Sequence, residues 1–97
     1  MELAAATIDD FSDRVGDIFV YSENGVNYPL LLKEATQKCG GMPGGRKPFL
    51  LIFSGPAGIG FNQGNYLLTN DRFGKIELFM VPGGWDGDSF ILHAVFN

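Results

Sequence analysis

Six short runs rich in β-branched and aromatic residues, set off from one another by turn-forming residues, limit this chain to very few architectures. Asp17 to Ser22 and Val26 to Leu32 flank Glu23-Asn24-Gly25, and Asn-Gly between two such runs is the strongest short-range hairpin signal. Asn65 to Thr69 and Lys75 to Val81 flank a second turn, Asn70 to Gly74, where Gly74 can take positive φ. Pro48 to Ser54 is the most apolar run, and Phe90 to Phe96 closes the chain. Six short strands at near-regular spacing predict a mainly β fold, a small antiparallel β-barrel or sandwich of about six strands. Ninety-seven residues with 45% hydrophobic content make a single β-rich domain over 1–97 with room for one core.

Two short helices complete the prediction. Thr7 followed three positions on by Asp10 is an N-cap signature, and Phe11 and Val15 share one helical face before Gly16. Leu31 to Lys38 is made of helix formers and is followed by Gly40, which suits a residue just past a helix end. Within the second hairpin arm Val26, Tyr28, Leu30 and Leu32 share a face, and Pro29 on the other face cannot donate to a ladder. That arm is expected at a sheet edge. In the central run Phe49, Leu51 and Phe53 point one way and Leu50 and Ile52 the other, so this strand needs cover on both faces. A second subunit could supply it, with the edge-like arm and the strand Phe90 to Phe96 pairing across a twofold axis; a homodimer is the expectation.

The stretch Phe53 to Tyr66 carries glycines at 55, 58, 60 and 64 just after an apolar run. A phosphate loop has that look, but its glycines must lead straight into a helix whose N–H groups hold the anion. Here they lead into Asn65 to Thr69, which is β-like, and the Lys and Ser/Thr of a Walker loop are missing between Ala57 and Tyr66. The stretch reads as a wide strand-to-strand connection whose glycines supply backbone conformations that other residues resist, with Gln63 available to tie it by hydrogen bonds. Gly40 to Lys47 and Pro82 to Ser89 read as further exposed loops.

The formal net charge of −4 argues against a nucleic-acid partner, because phosphate-backbone binding relies on excess Lys and Arg. An acidic lipid surface is disfavoured likewise, and no run of apolar residues is long enough for a membrane span. Cys39 is the only cysteine. It can form no intramolecular disulfide and belongs to no zinc-ligating cluster, so a reducing, cytoplasmic setting fits best, and no cofactor is implied. Lys38 beside it could lower its pKa, but no resolving partner stands nearby.

Asp86, Asp88 and Ser89 gather hard oxygen ligands of the kind calcium or magnesium takes, without the terminal bidentate Glu of a full calcium loop. An acidic turn is the simpler reading. His93 could join Asp86 and Asp88 in a small enzyme or metal-binding site, though general acid–base work needs a partner in hydrogen-bond reach. A structural histidine on the last strand is the simpler alternative. Trp85 reads as a lid on the core in preference to an exposed contact residue. Arg46, Lys47, Arg72 and Lys75 form two basic pairs in loops. The catalytic, cofactor and metal assignments are therefore none, and Trp85, Arg46, Arg72 and Gln63 are the candidate interaction surface.

Pro48-Phe49, Leu51, Phe53, Gly55-Pro56, Gln63-Gly64, Tyr66, Leu78-Phe79, Val81-Pro82 and the closing Ala94 to Asn97 together resemble a bacterial family catalogued as a domain of unknown function. Phe19-Val20, Gly25 and Leu30 to Glu34 fit its hairpin, so the resemblance runs from about residue 11. The glycine-rich Gly40 to Gly45 departs from the pattern. The resemblance implies a small β-rich domain, and an association of its members with phage-tail or collar-like proteins, hence an assembly role. It brings no catalytic residues. The function expected is a non-enzymatic protein-binding or assembly domain acting on a protein partner or on itself, with the Asp86, Asp88 and His93 site as the alternative.

Overall fold

The computed structural model describes residues 6–37 and 48–96. A short helix α1 (Ile8–Ser12) precedes six strands: β1 (Ile18–Glu23), β2 (Val26–Gln37), β3 (Phe49–Ala57), β4 (Gly64–Asn70), β5 (Gly74–Asp86) and β6 (Ser89–Phe96). All strand pairs are antiparallel, and the order β1-β2-β3-β6-β5-β4 closes into a barrel. Two three-strand meanders, β1 to β3 and β4 to β6, are thus joined along β3–β6 and closed along β1–β4.

Local chemistry explains most of these elements. The Thr7 N–H donates to the Asp10 carboxylate at 2.8 Å and starts α1. Asn24 and Gly25 take φ of 52° and 79°, the conformation a two-residue type I′ hairpin turn demands. Period-two alternation then decides which side chains enter the barrel. Phe19, Leu30, Leu32, Phe49, Leu51, Phe53, Leu68, Met80 and Leu92 are fully buried in a single core.

Phe11, carried by α1, plugs one end of the barrel. Its ring centroid lies 4.9 Å from Phe73, 5.6 Å from Phe96 and 5.9 Å from Phe49. The other end is closed by the glycine-rich connection. β3 and β4 stand opposite each other in the ring, so residues 58–63 must cross the barrel mouth, whereas each of the other strand connections joins neighbours. Gly58 makes this turn with φ of 79°. A Cβ on Gly55 would lie 2.8 Å from the Phe61 ring, so its absence lets Phe61 lie against β3. The loop is therefore a crossing, as its sequence suggests. Gly64 does not share in that role: it opens β4 opposite Met80, has no positive φ, and a Cβ there would meet open space.

Four expectations are corrected. Leu31 to Gln37 is strand, not helix: β2 continues to Gln37, pairing with β3 from Leu31↔Ser54 to Gln37↔Phe49 through a bulge between Leu32 and Glu34. Helix propensity over so few residues amounts to tenths of a kcal/mol each, and a helix here would strip β3 of a neighbour. Pro82 to Ser89 is not a loop either, because β5 runs on to Asp86 past a bulge at Gly83, leaving only Gly87 and Asp88 to turn into β6. Strand β3 is central, between β2 and β6, but only its Phe49, Leu51 and Phe53 face is fully buried. Leu50 and Ile52 point outward and are half-buried. Nor is the arm Val26 to Leu32 at a sheet edge: β2 lies between β1 and β3 in the closed barrel, and Pro29 is tolerated because pairing to β3 begins only at Leu31. The predicted loop at Gly40 to Lys47, with Lys38, Cys39 and Arg46, lies outside the described residues.

The closing seam is short. β1 and β4 pair at Val20↔Thr69 and Tyr21↔Leu68, and the buried Asn70 side chain extends the contact. Its amide donates to the Ile18 carbonyl at 3.0 Å, while its oxygen accepts from the N–H groups of Arg72 and Phe73 at 2.8 and 3.2 Å. Asn70→Ala is expected to cost about 1–3 kcal/mol in denaturant unfolding, because it removes three part-buried hydrogen bonds at the seam. Leu51→Ala should cost about 2–4 kcal/mol. Ile52→Ala, half-exposed on the outer face, should cost about 1 kcal/mol; equal losses for the two would contradict the one-sided core.

Candidate functional site

Two surfaces stand out. The first is the outer face of β4-β5-β6-β3. Leu50 opposes Val95 across β3–β6, and Ile52 and Val81 both oppose His93. Phe79 lies one step beyond the Met80↔Ala94 pair, beside Val95, and Leu67 sits diagonally across from it, since Leu67 opposes Glu77. All of these side chains point away from the core by the period of two. Leu67, Phe79 and Val95 are 51%, 53% and 43% exposed. Polar residues rim the stripe: Thr36 and Glu34 oppose Leu50 and Ile52 on one side, and Asn65 and Glu77 lie on the other.

The second is a cleft of about 240 Å³ at the barrel mouth crossed by the glycine loop, lined by Tyr21, Glu23 and the segment Gly60 to Tyr66. It exists because the β1–β4 seam stops at Tyr21↔Leu68, so Glu23 and Tyr66 flank a gap instead of pairing. Phe61 roofs it and packs on Tyr21, Tyr28, Tyr66 and Phe90, with centroids 5.7–6.4 Å away. Tyr21 and Tyr66 meet edge to face at 4.7 Å. The Tyr66 hydroxyl donates to the Asn62 carbonyl and anchors the loop.

The residues singled out from the sequence are dispersed. Trp85 and Gln63 lie at the cleft end, whereas Arg72 is in the β4–β5 turn at the opposite end, and Arg46 is outside the described residues. Trp85 is not a lid: it is 55% exposed and leans edge-on against Phe90 at 5.0 Å. Asp86, Asp88 and His93 do not converge, and among the described residues no group of three His, Cys, Asp or Glu side chains is placed to hold a metal ion. The register explains this. Asp86 and Asp88 flank the tip of the β5–β6 turn, with Asp86 paired to Lys33 at 3.1 Å. His93 lies four residues along β6 opposite Val81, roughly 13 Å away at strand rise. It is half-buried over Gly83, where a Cβ would come within 2.6 Å of its Nε2.

Tyr21, Glu23, Phe61 and Tyr66 were missed by sequence reasoning. The available signal was a lone aromatic, Phe61, inside a glycine-rich crossing, which marks a plug.

Burial raises the Tyr21 phenol above its ordinary value of 10.0, and the charge of Glu23, the hydrogen bond that the Tyr21 hydroxyl donates to its carboxylate and the neighbouring Tyr28 add to the effect. Tyr66 is raised too, first by burial and then by Tyr21 and Glu23. A phenol whose folded pKa is raised adds stability that is complete below the unfolded value and is lost as pH rises through the folded one. Unfolding measured on either side of pH 10.0 should therefore show stability falling on the alkaline side. In a tyrosinate absorbance titration, Glu23→Gln should move Tyr21 back toward the ordinary value; an unmoved titration would remove Glu23 from the cleft's electrostatics.

Among the described residues, no helix is long and apolar enough to cross a membrane. No curated protein and no solved structure matches the chain. A family model does match, over residues 6–96, and by it the chain belongs to the family described as a domain of unknown function, DUF6916.

Proposed function

We propose that this is a non-enzymatic protein-binding or assembly domain whose contact surface is the outer stripe of Leu67, Phe79, Val95, Leu50 and Ile52. The observation that carries it is the exposure of three large apolar side chains on one continuous, polar-rimmed sheet face. Apolar surface of that kind is costly to leave in water and marks association sites. The dispersal of Asp86, Asp88 and His93 favours this over a small enzyme or metal-binding domain.

The simplest occupant is a second copy, giving a homodimer by face-to-face contact about a twofold axis. Pairing through the strand Phe90 to Phe96 is not the route, because β6 already has β3 and β5 on its two sides. The phage-tail or collar-like setting implied by the family resemblance is a narrower proposal of the same class, in which barrels associate laterally. A reducing, cytoplasmic compartment suits a chain whose only cysteine is Cys39.

Sedimentation across a dilution series at micromolar concentration tests the dimer. The wild type is expected to dissociate from dimer to monomer on dilution, and Phe79→Lys to be monomeric throughout with its melting temperature little changed. A wild-type monomer at every concentration eliminates the self-interface. Equal recovery of host proteins on immobilised wild type and Phe79→Lys would then remove the stripe as a contact surface for any partner.

A further inference from the structure

The cleft at the barrel mouth goes beyond a lateral assembly face, and its chemistry is specific. Glu23 is the only ionised group among its lining residues, and no Lys or Arg of the described residues lines it. Tyr21 and Phe61, both partly exposed, can present ring surface to a ligand there, and aromatic faces attract cations through their quadrupole, whereas the Tyr66 ring behind them is buried in the core. Asn62, Gln63 and Asn65 add amide oxygens that accept hydrogen bonds.

Other ligand classes fit less well. An anion would meet the Glu23 charge with no opposing cation. A purely apolar group would displace water from Glu23 and the amides without replacing its hydrogen bonds. A bare divalent metal ion would find a single carboxylate to balance its double charge, and among the described residues no group of three His, Cys, Asp or Glu side chains is placed to hold one. At about 240 Å³ the cleft falls below the size of sites that take drug-sized molecules or cofactors, so it suits an end group.

We propose that this cleft, where the β1–β4 seam opens under the glycine loop, binds an alkylammonium or guanidinium group, with Glu23 as its counter-ion, the amides of Asn62, Gln63 and Asn65 as acceptors and the partly exposed rings of Tyr21 and Phe61 beside it. The raised phenols of Tyr21 and Tyr66 agree with a negative field there, since Glu23 contributes to both. The group comes either from a free amine or from the tip of a lysine or arginine side chain on a partner; both present the same chemistry to the cleft.

The test is a titration followed by backbone amide chemical shifts, using butylammonium and methylguanidinium as probes and butan-1-ol as a neutral probe of similar size. Saturable shifts confined to Glu23 and residues 60–66, seen with the cations and not with the alcohol, are expected. Glu23→Gln should weaken them about ten-fold, the scale of one hydrogen bond to a charged group. Glu23 is exposed at the end of its strand, so this variant keeps the barrel, which its unshifted core resonances verify. A peptide, acetyl-Gly-Lys-Gly-amide, distinguishes the two sources. Tighter binding than butylammonium points to a partner's side chain, and equal or weaker binding to a free amine, either of which sustains the proposal. No saturable shift at tens of millimolar cation, equal binding of the alcohol, or binding indifferent to Glu23→Gln overturns it.

Discussion

Closure of the β1–β4 seam is the constraint on which the remaining structure depends. Without it the six strands would form an open sheet with two bare edges, and the single apolar interior shared by Phe19, Leu30, Phe53 and Met80 would face water. Yet the seam is the most sparsely paired junction of the barrel, made at Val20↔Thr69 and Tyr21↔Leu68. Asn70 compensates by letting one side chain serve the carbonyl of Ile18 and two N–H groups of the adjacent turn. A buried amide with both ends satisfied also fixes register, because a slip of one residue would expose it and turn Leu68 outward.

The same closure makes the glycine-rich stretch necessary. Once the two meanders are joined along β3–β6, the chain has to cross from β3 to β4 over the mouth, and whatever crosses must also stop that end of the core. Phe61 does this as Phe11 does at the opposite end. Six residues carry a ring across the mouth, turn at Gly58 and approach β3 at Gly55. The resemblance to a phosphate loop is a resemblance of composition alone: glycine serves here for close approach of a side chain, and no helix follows to hold an anion.

How much of this could be read from the chain divides along the range of the interactions. Both tight hairpins and the N-terminal helix rest on contacts within a few residues, and Asn24-Gly25, Gly74 and the Thr7 and Asp10 pair announced them. Leu31 to Gln37 deceived because its helix formers carry only a weak local preference, while its strand state is set by β3, which follows across a long stretch of chain. Pro82 to Asp86 looked like loop because proline and two glycines interrupt the alternation, but a bulge absorbs them and pairing to β6 resumes at Gly84↔Ile91. The two-sided apolar pattern of Phe49 to Phe53 was legible, and its cause was not: the outer half belongs to a surface stripe completed by Phe79, Val95 and Leu67. The cleft was the least legible feature, because it is the place where two distant strands stop pairing, and Tyr21 and Tyr66 look like ordinary core residues in the sequence.

The two surfaces also differ in mechanical character, and that difference bears on what each can do. The stripe lies on β5 and β6 and the strands beside them, where continuous ladders hold side chains in fixed rows, a platform suited to a broad apolar contact whose partner must match its shape. The cleft sits beside the junction with the least pairing, under a loop anchored by the Tyr66 hydroxyl and the Phe61 ring. Regions with few backbone pairs open at lower free energy than core strands. An occupant bridging β1 to the loop would supply the cross-seam contact that the backbone there lacks, so binding at the mouth and closure of the barrel would favour each other through linkage.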